Sequence, residues 1–361
     1  MTAAIAERRL AAQRLVGEPL PDAATAVRHL LAVQSQDYAG AKWALAQRIP
    51  PTTDAALDAL FDAGAFLRLH VMRPTWHFVA PEDLRWLLAL TGPRVHQASS
   101  FQYRLQEIDG SLARRAADVF EHELAGGGAA TREELGSALE AADIPATGLR
   151  LIYLIGHAEV EAILCSGPRR KGKQTYALVA DRVPPTAPID RDEALAELAR
   201  RYITGHGPAQ DIDLAWWSGL TLGDARRAIA AAGPALRRES VGERTFWAAA
   251  EAAASQPSAE AVSSIHLLPN YDELLVAFRD RSDALDPRLP PPARLAEEIL
   301  AHAIVRDGRV IGRWQRSLGP GAKVTIEPRI ALNAEQRGLL GAAANRYAAF
   351  LGRPLEVIGL D

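Results

Sequence analysis

Residues 131–179 constrain the fold more tightly than any other stretch of the chain. Thr131-Arg132-Glu133-Glu134 has the spacing of a capping box, in which the threonine oxygen and the glutamate satisfy free backbone donors where a helix begins. The helix runs through Ala141, a turn follows at Ile144–Gly148, and a second, strongly apolar helix spans Leu149–Leu164. Ser166–Val179 then reads as a hairpin with glycines at its tip and an apolar returning strand. Helix, turn, helix and hairpin, closely spaced, is the order of a winged helix.

The same order is expected twice more. Apolar residues recur at helical spacing in Ile5–Leu15, Ala24–Val33 and Ala55–Phe61. Phe66–Val79 alternates and is rich in β-formers, which predicts two short strands broken at Arg73-Pro74. Pro81-Glu82-Asp83 starts the next helix, with proline in the first turn and acids at the positive end of the dipole. Downstream, Glu193–Ile203 is helical, Gly207-Pro208 opens a short helix, Thr221–Ala231 begins on a threonine cap, and Leu236–Trp247 makes a short ribbon. Pro184–Pro188 is a stiff connector, and Ala248–Ala261 is low in complexity, helix-prone or loose. From Ile265 the pattern turns to strands: Ile265–Phe278, Ala303–Arg316 around an Asp307-Gly308 turn, and Lys323–Leu332, then a helix Ala334–Phe350 and a last strand Pro354–Ile358. The predicted fold is α+β and mostly helical. Three tandem winged-helix units (1–125, 126–188, 189–262) precede a C-terminal antiparallel β-domain, a partial barrel, over 263–361.

Composition narrows the function. Of 361 residues, 48% are apolar, enough for a sizeable core, yet no uncharged apolar run approaches the ~18 residues of a membrane span. The amphipathic start does not read as a secretion signal, and with the single cysteine, Cys165, it predicts a cytoplasmic protein. Cys165 ends an apolar helix and is expected to be buried and inert. The net charge of −3 weighs against a nucleic-acid partner, although one cationic face suffices to bind one. No dinucleotide or phosphate-loop glycine pattern, HExxH or GxSxG is present, and the nine histidines lack metal-ligand spacing. Neither metal nor organic cofactor is expected.

Three polar groupings stand out. Gln34 and Gln36 are two apart, so on an extended segment their amides share one face while Ser35 points to the core. Such a pair can hold a water, a phosphate oxygen or a base edge; a polar helix–loop junction is the plain alternative. Asp37 adds an adjacent carboxylate. Arg73, Thr75 and His77 alternate and would line the same cleft, with Trp76 packed behind them. Arg169, Arg170, Lys171 and Lys173 crowd the hairpin tip, where cations meet phosphates or a groove, unless the tip is only a solvated turn.

Taken in order, Leu30–Asp37 (LLAVQSQD), Leu67–Leu84, Thr131–Leu139 and Leu267–Arg281 (LLPNYDELLVAFRDR) resemble the AlkZ/AlkX-like winged-helix DNA glycosylases over nearly the whole chain. The AlkZ-like branch of that family carries a glutamine–aliphatic–glutamine motif, and Gln34-Ser35-Gln36 falls in its place, Ser35 departing from the aliphatic middle residue. The AlkX-like branch has aspartate last. The resemblance implies a concave surface for double-stranded DNA and hydrolysis of the N-glycosidic bond of N7- or N3-alkylated purines, including bulky adducts and crosslinks. It also implies a monomer, with Gln36 orienting the attacking water and Gln34 holding that water or the substrate backbone. An alkylated N7 makes the purine cationic, so it can leave without a general acid.

Two other readings remain open on sequence alone. A transcription regulator would need a base-reading helix, for which Arg150 opens the best candidate, but Leu149–Leu164 is almost wholly apolar. A non-catalytic DNA-binding protein would use Gln34 and Gln36 only to bind phosphate.

Overall fold

Asp22 accepts a hydrogen bond from Thr25 N (2.7 Å) and so starts helix α2 (Ala23–Leu30), which follows α1 (Thr2–Ala12). The helix expected to reach Val33 stops at Leu31, whose backbone is left-handed (φ 65°). The chain then enters strand β1 (Ala32–Gln34). Helices α3 (Tyr38–Ala46) and α4 (Asp54–Asp62) precede β2 (Leu67–Met72) and β3 (Thr75–Val79), and the sheet order is β1-β3-β2. The structure is a computed structural model that describes residues 2–251, 263–289, 301–319 and 321–360, without the side chains of 2–4.

Pro81 occupies the first turn of α5 (Pro81–Leu105), which carries the chain to a second winged helix. This comprises α6 (Gly110–Glu123), β4 (Ala130–Thr131), α7 (Arg132–Ala141), α8 (Gly148–Val160), β5 (Leu164–Ser166) and β6 (Thr175–Leu178), with sheet order β4-β6-β5. The capping box forms: Thr131 Oγ1 accepts from Glu134 N at 3.3 Å, and Glu134 Oε2 accepts from Thr131 N at 2.8 Å. Helix α8 ends at Val160, so Leu164 belongs to the wing. Lys171 and Gly172 turn that wing with positive φ (51° and 76°), the geometry that matches strand twist.

After α9 (Val179–Arg182) and the extended prolines comes a third unit of the same order: α10 (Arg191–His206), α11 (Asp211–Ser218), α12 (Leu222–Ala232), β7 (Leu236–Val241) and β8 (Arg244–Ala249). Its first strand is reduced to one bridge, Ala209 to Trp247. The short helix expected from Gly207-Pro208 therefore begins only at Asp211. Of the low-complexity stretch, Ala248 and Ala249 finish β8, while 252–262 lie outside the described residues.

The C-terminal sheet has the order β13-β12-β11-β10-β9, with β9 (Ile265–Leu268), β10 (Ala303–Arg306), β11 (Arg309–Ser317), β12 (Lys323–Pro328) and β13 (Glu356–Ile358). Four strands are antiparallel as expected. The last pairs parallel to β12, because the helix Ala334–Leu351 (α14) carries the chain back to the starting end. The sheet stays open. The strand expected over Ile265–Phe278 covers only Ile265–Leu268; Glu273–Val276 (α13) is a helical turn capped by Asp272, which accepts from Leu274 N at 2.9 Å. Among the described residues, no helix is long and apolar enough to cross a membrane.

Cores fuse the modules. One buried cluster joins Leu69 and Val71 of the first sheet and Leu84 of α5 to Leu198, Tyr202 and Trp217 of the third unit and to Phe278. Another joins Val33, Phe61 and Phe78 to Leu267, Ile311, Trp314 and Tyr347 of the C-terminal sheet and helix. The second unit has its own core around Phe120, Leu135 and Leu154. Between the first and last modules lies an ion pair with both side chains wholly buried: Arg48 Nη2 and Nη1 contact Asp272 Oδ1 and Oδ2 at 2.8 and 3.0 Å.

Asp272→Ala leaves the Arg48 guanidinium buried without a counter-charge. The expected loss of unfolding free energy is about 3–5 kcal/mol, measured by chemical denaturation; a wild-type midpoint would contradict this account of the junction. Acid acts on a second set of groups. Burial depresses the imidazoles of His29, His266 and His302 to about 4, so between the ordinary histidine value and about 4 the unfolded chain binds more protons than the folded one. Stability therefore falls as pH drops from about 6.5 toward 4. Melting temperatures recorded across that window should decline, and a flat profile would show these rings titrating normally.

Candidate active site

Strand β1 delivers Gln34 to the end of the first sheet, opposite His77 of β3. Two hydrogen bonds and burial fix this glutamine. Its backbone N–H donates to Glu273 Oε1 (2.7 Å), its side-chain Oε1 accepts from Arg73 Nη2 (3.0 Å), and its side chain lies in the sheet edge with the residue 6% exposed. Ser35 continues the pairing by donating its N–H to Trp76 O (2.8 Å), and its side chain is buried, as is that of Gln34 before it. Gln36 returns to the surface, where its Oε1 accepts from Trp76 N at a long 3.4 Å. Each amide oxygen keeps a second lone pair for a further donor.

Asp37 is committed elsewhere. Its carboxylate caps α3 through Gly40 N (3.0 Å) and pairs with Arg316 Nη2 (2.6 Å). Arg73 stands in the turn between β2 and β3 with a left-handed backbone (φ 53°), not on a strand, yet its side chain reaches Gln34. Thr75 is half-buried.

His77 does not line an open wall. It is 0% exposed, because its face of the sheet is also that of its register partner Leu69, a core residue. Burial, with the nearby Arg73 charge, holds His77 well below the ordinary histidine range, and its Nδ1 lies 3.0 Å from Thr75 O. A neutral ring locked in the core has no access to a reacting proton. Trp76 faces the other way, half-buried, tilted against His70 (ring centres 4.5 Å apart) with the Arg68 guanidinium 4.5 Å from its ring.

The hairpin cations divide. Arg169 is claimed by α4, its guanidinium meeting Asp58 Oδ2 at 2.6 Å and Asp62 Oδ2 at 2.8 Å, and Arg170 pairs with Glu134. Lys171 and Lys173 are exposed, and no ion pair to either is found among the described residues. The four-cation tip is therefore a two-cation tip on a clamped root. Arg150 is also spoken for, by Glu107 at 2.7 Å and Gln106 O at 2.7 Å. Cys165 is wholly buried, which pushes its thiol up to about 12.

Sequence reasoning gave no role to Glu273, Trp216, Arg279 or Arg281. Glu273 sits beneath the glutamines, accepting from Gln34 N and, at 2.9 Å, from Trp217 Nε1. Its signal was available: two adjacent acids, Asp272-Glu273, inside an otherwise apolar run must find buried partners. The Trp216-Trp217 pair is likewise legible, since neighbours on a helix diverge; Trp217 is buried and Trp216 is 36% exposed. On α5 and α8 and just beyond, His96, His157 and Glu161 bring possible ligand atoms within 4.8 Å of one another. Hydrogen bonding of His96 to Glu161 (2.8 Å) and Tyr103 (3.0 Å) accounts for that grouping without an ion.

The two amides are neutral, and the neighbouring carboxylates, Asp37 and Glu273, are already engaged by other partners. A search of curated proteins by sequence returned no match. Among solved structures, the chain is similar in fold to the Streptomyces sahachiroi DNA glycosylase AlkZ, with a TM-score of 0.79 at 21% identity, over 98% of each chain. The AlkZ-like DNA glycosylase family model matches residues 27–350. This span includes the glutamine strand, all the winged-helix sheets and most of the terminal helix, and the chain belongs to the AlkZ-like DNA glycosylase family.

Proposed function

We propose that this DNA glycosylase releases N7- or N3-alkylated purines, bulky or crosslinked ones included, from duplex DNA. The observation that carries the reading is the pair Gln34 and Gln36, one held by Glu273 and Arg73 and the other exposed beside it. A cationic purine is already a good leaving group, so the enzyme needs to align water with the anomeric carbon and little else. Gln36 accepts an O–H of that water and turns its oxygen lone pair toward the sugar; the water's proton passes to solvent as the C–O bond forms. Gln34, whose oxygen is polarised by Arg73, offers its amide N–H to the water or the sugar–phosphate backbone. Because Gln36 is exposed at the surface, a large adduct need not be enclosed. Lys171 and Lys173 contact the backbone from the wing. The enzyme acts as a monomer, in repair or in self-resistance to a genotoxin. A base-reading regulator is disfavoured because Arg150, the best-placed reader, is already paired.

Gln36→Ala should lower the single-turnover release of N7-methylguanine about 100-fold, the scale of losing one positioning contact. Alkali-labile abasic sites report the rate, and wild-type release by a folded Gln36→Ala protein would remove the assignment. Replacing both Lys171 and Lys173 with Gln should reduce the slope of log binding constant against log salt by roughly two, at about 0.9 per phosphate contact. An unchanged slope would place the tip outside the interface.

A further inference from the structure

Helix α11 ends with one tryptophan inward and one outward. Trp216, the outward one, is anchored by its Nε1 donating to Val276 O at 3.2 Å. Three guanidiniums from two separate elements surround its ring, with Arg281, Arg279 and Arg73 at 5.4, 5.7 and 5.9 Å from its centre. Indole–cation attraction of roughly 0.5–2 kcal/mol each does not by itself explain three like charges in one place.

The acids nearest this cluster offset its charge only in part, Glu273 acting on Arg73 and Asp213 on Arg281. Glu273 is buried and engaged by Gln34 and Trp217, while Asp213 accepts from Arg279 N (2.9 Å) and Gln210 N (3.0 Å) and lies 3.5 Å from Arg9. No side-chain ion pair of Arg73, Arg279 or Arg281 is found among the described residues. Arg73 Nε and Arg281 Nη2 are buried with no hydrogen-bond partner. Burial lowers the pKa of both guanidiniums; Arg281 lowers that of Arg73 further, and Arg279 that of Arg281. Arg73 reaches the cluster from a left-handed backbone that costs ~1–2 kcal/mol, and its Cγ runs so close to Gly219 that a Cβ there would lie 3.2 Å away.

We propose that Trp216, Arg73, Arg279 and Arg281 form a seat for one phosphodiester of the DNA strand that crosses the glutamines. The inference rests on the DNA-acting reading above. A phosphate accepts from several guanidinium forks at once and supplies the missing negative charge. Because Arg73 also binds Gln34 Oε1, the seated phosphate is tied to the glutamine pair through one side chain. Arg73 is thus a positioning residue, setting the sugar against Gln36.

The test measures binding of a short undamaged duplex across a salt series by the intact chain, so it does not depend on base release. Arg279→Gln alters an exposed residue and should weaken low-salt binding several-fold and flatten the log–log slope by about one. Arg200→Gln, which removes a cation paired with Glu197 on α10, should leave the slope unchanged. Equal slopes for Arg279→Gln and wild type overturn the proposal. In a second arm, inorganic phosphate replaces chloride at matched ionic strength. If Arg279→Gln abolishes phosphate competition while duplex binding keeps the wild-type slope, the cluster holds free phosphate and the DNA assignment fails. Absence of base release by the wild-type chain, with Arg279→Gln still flattening the duplex slope, would instead count against the glutamine mechanism alone.

Discussion

Two adjacent buried carboxylates organise this molecule. Asp272 neutralises Arg48 of the first module, and Glu273 receives the backbone of Gln34 and the indole of Trp217 from the third unit. A carboxylate withdrawn from water costs several kcal/mol unless its partners are in place, so neither acid tolerates the separation of the modules it joins. The short helix Glu273–Val276 is therefore the hub of the fold, although it is one of its smallest elements.

The site inherits its rigidity from that hub. Gln34 is held from below by a main-chain bond to Glu273 and from the side by Arg73, and Ser35 is pinned to Trp76. Neutral amides are weak catalysts when free to rotate. Gln34 is fixed at the end of strand β1, whereas Gln36 lies just past it, exposed, with one long bond from Trp76 N. The small, buried Ser35 keeps the alternation that the extended segment requires, with its hydroxyl turned inward.

Local chemistry made much of this readable. The capping box at Thr131, the threonine cap at Thr221 and the positive-φ turn at Lys171-Gly172 are signals contained within a few residues, and they set the second and third units in place. What was not readable depends on distant partners. The strand status of Gln34 follows from pairing with His77, and the break at Leu31 has no glycine or proline to announce it. Parity put His77 apart from Trp76, but it cannot say which face of a sheet becomes core, and His77 fell on the core side, while Arg73 lies in the turn, outside any strand alternation. Cations can be counted in a sequence, but their neutralisation cannot. Arg169 meets Asp58 and Asp62 only because the wing folds back onto α4. The parallel last strand likewise depends on where α14 returns the chain.

That clamp on Arg169 bears on who does the bending. A wing fastened at its root to the helix of another module has little freedom to swing, so a duplex that meets it must do most of the yielding. Elastic deformation of a site by 40–90° costs on the order of 1–6 kcal/mol, and less where stacking is already disturbed. Under the proposed contact of the wing with DNA, so stiff an element would favour sites that deform easily.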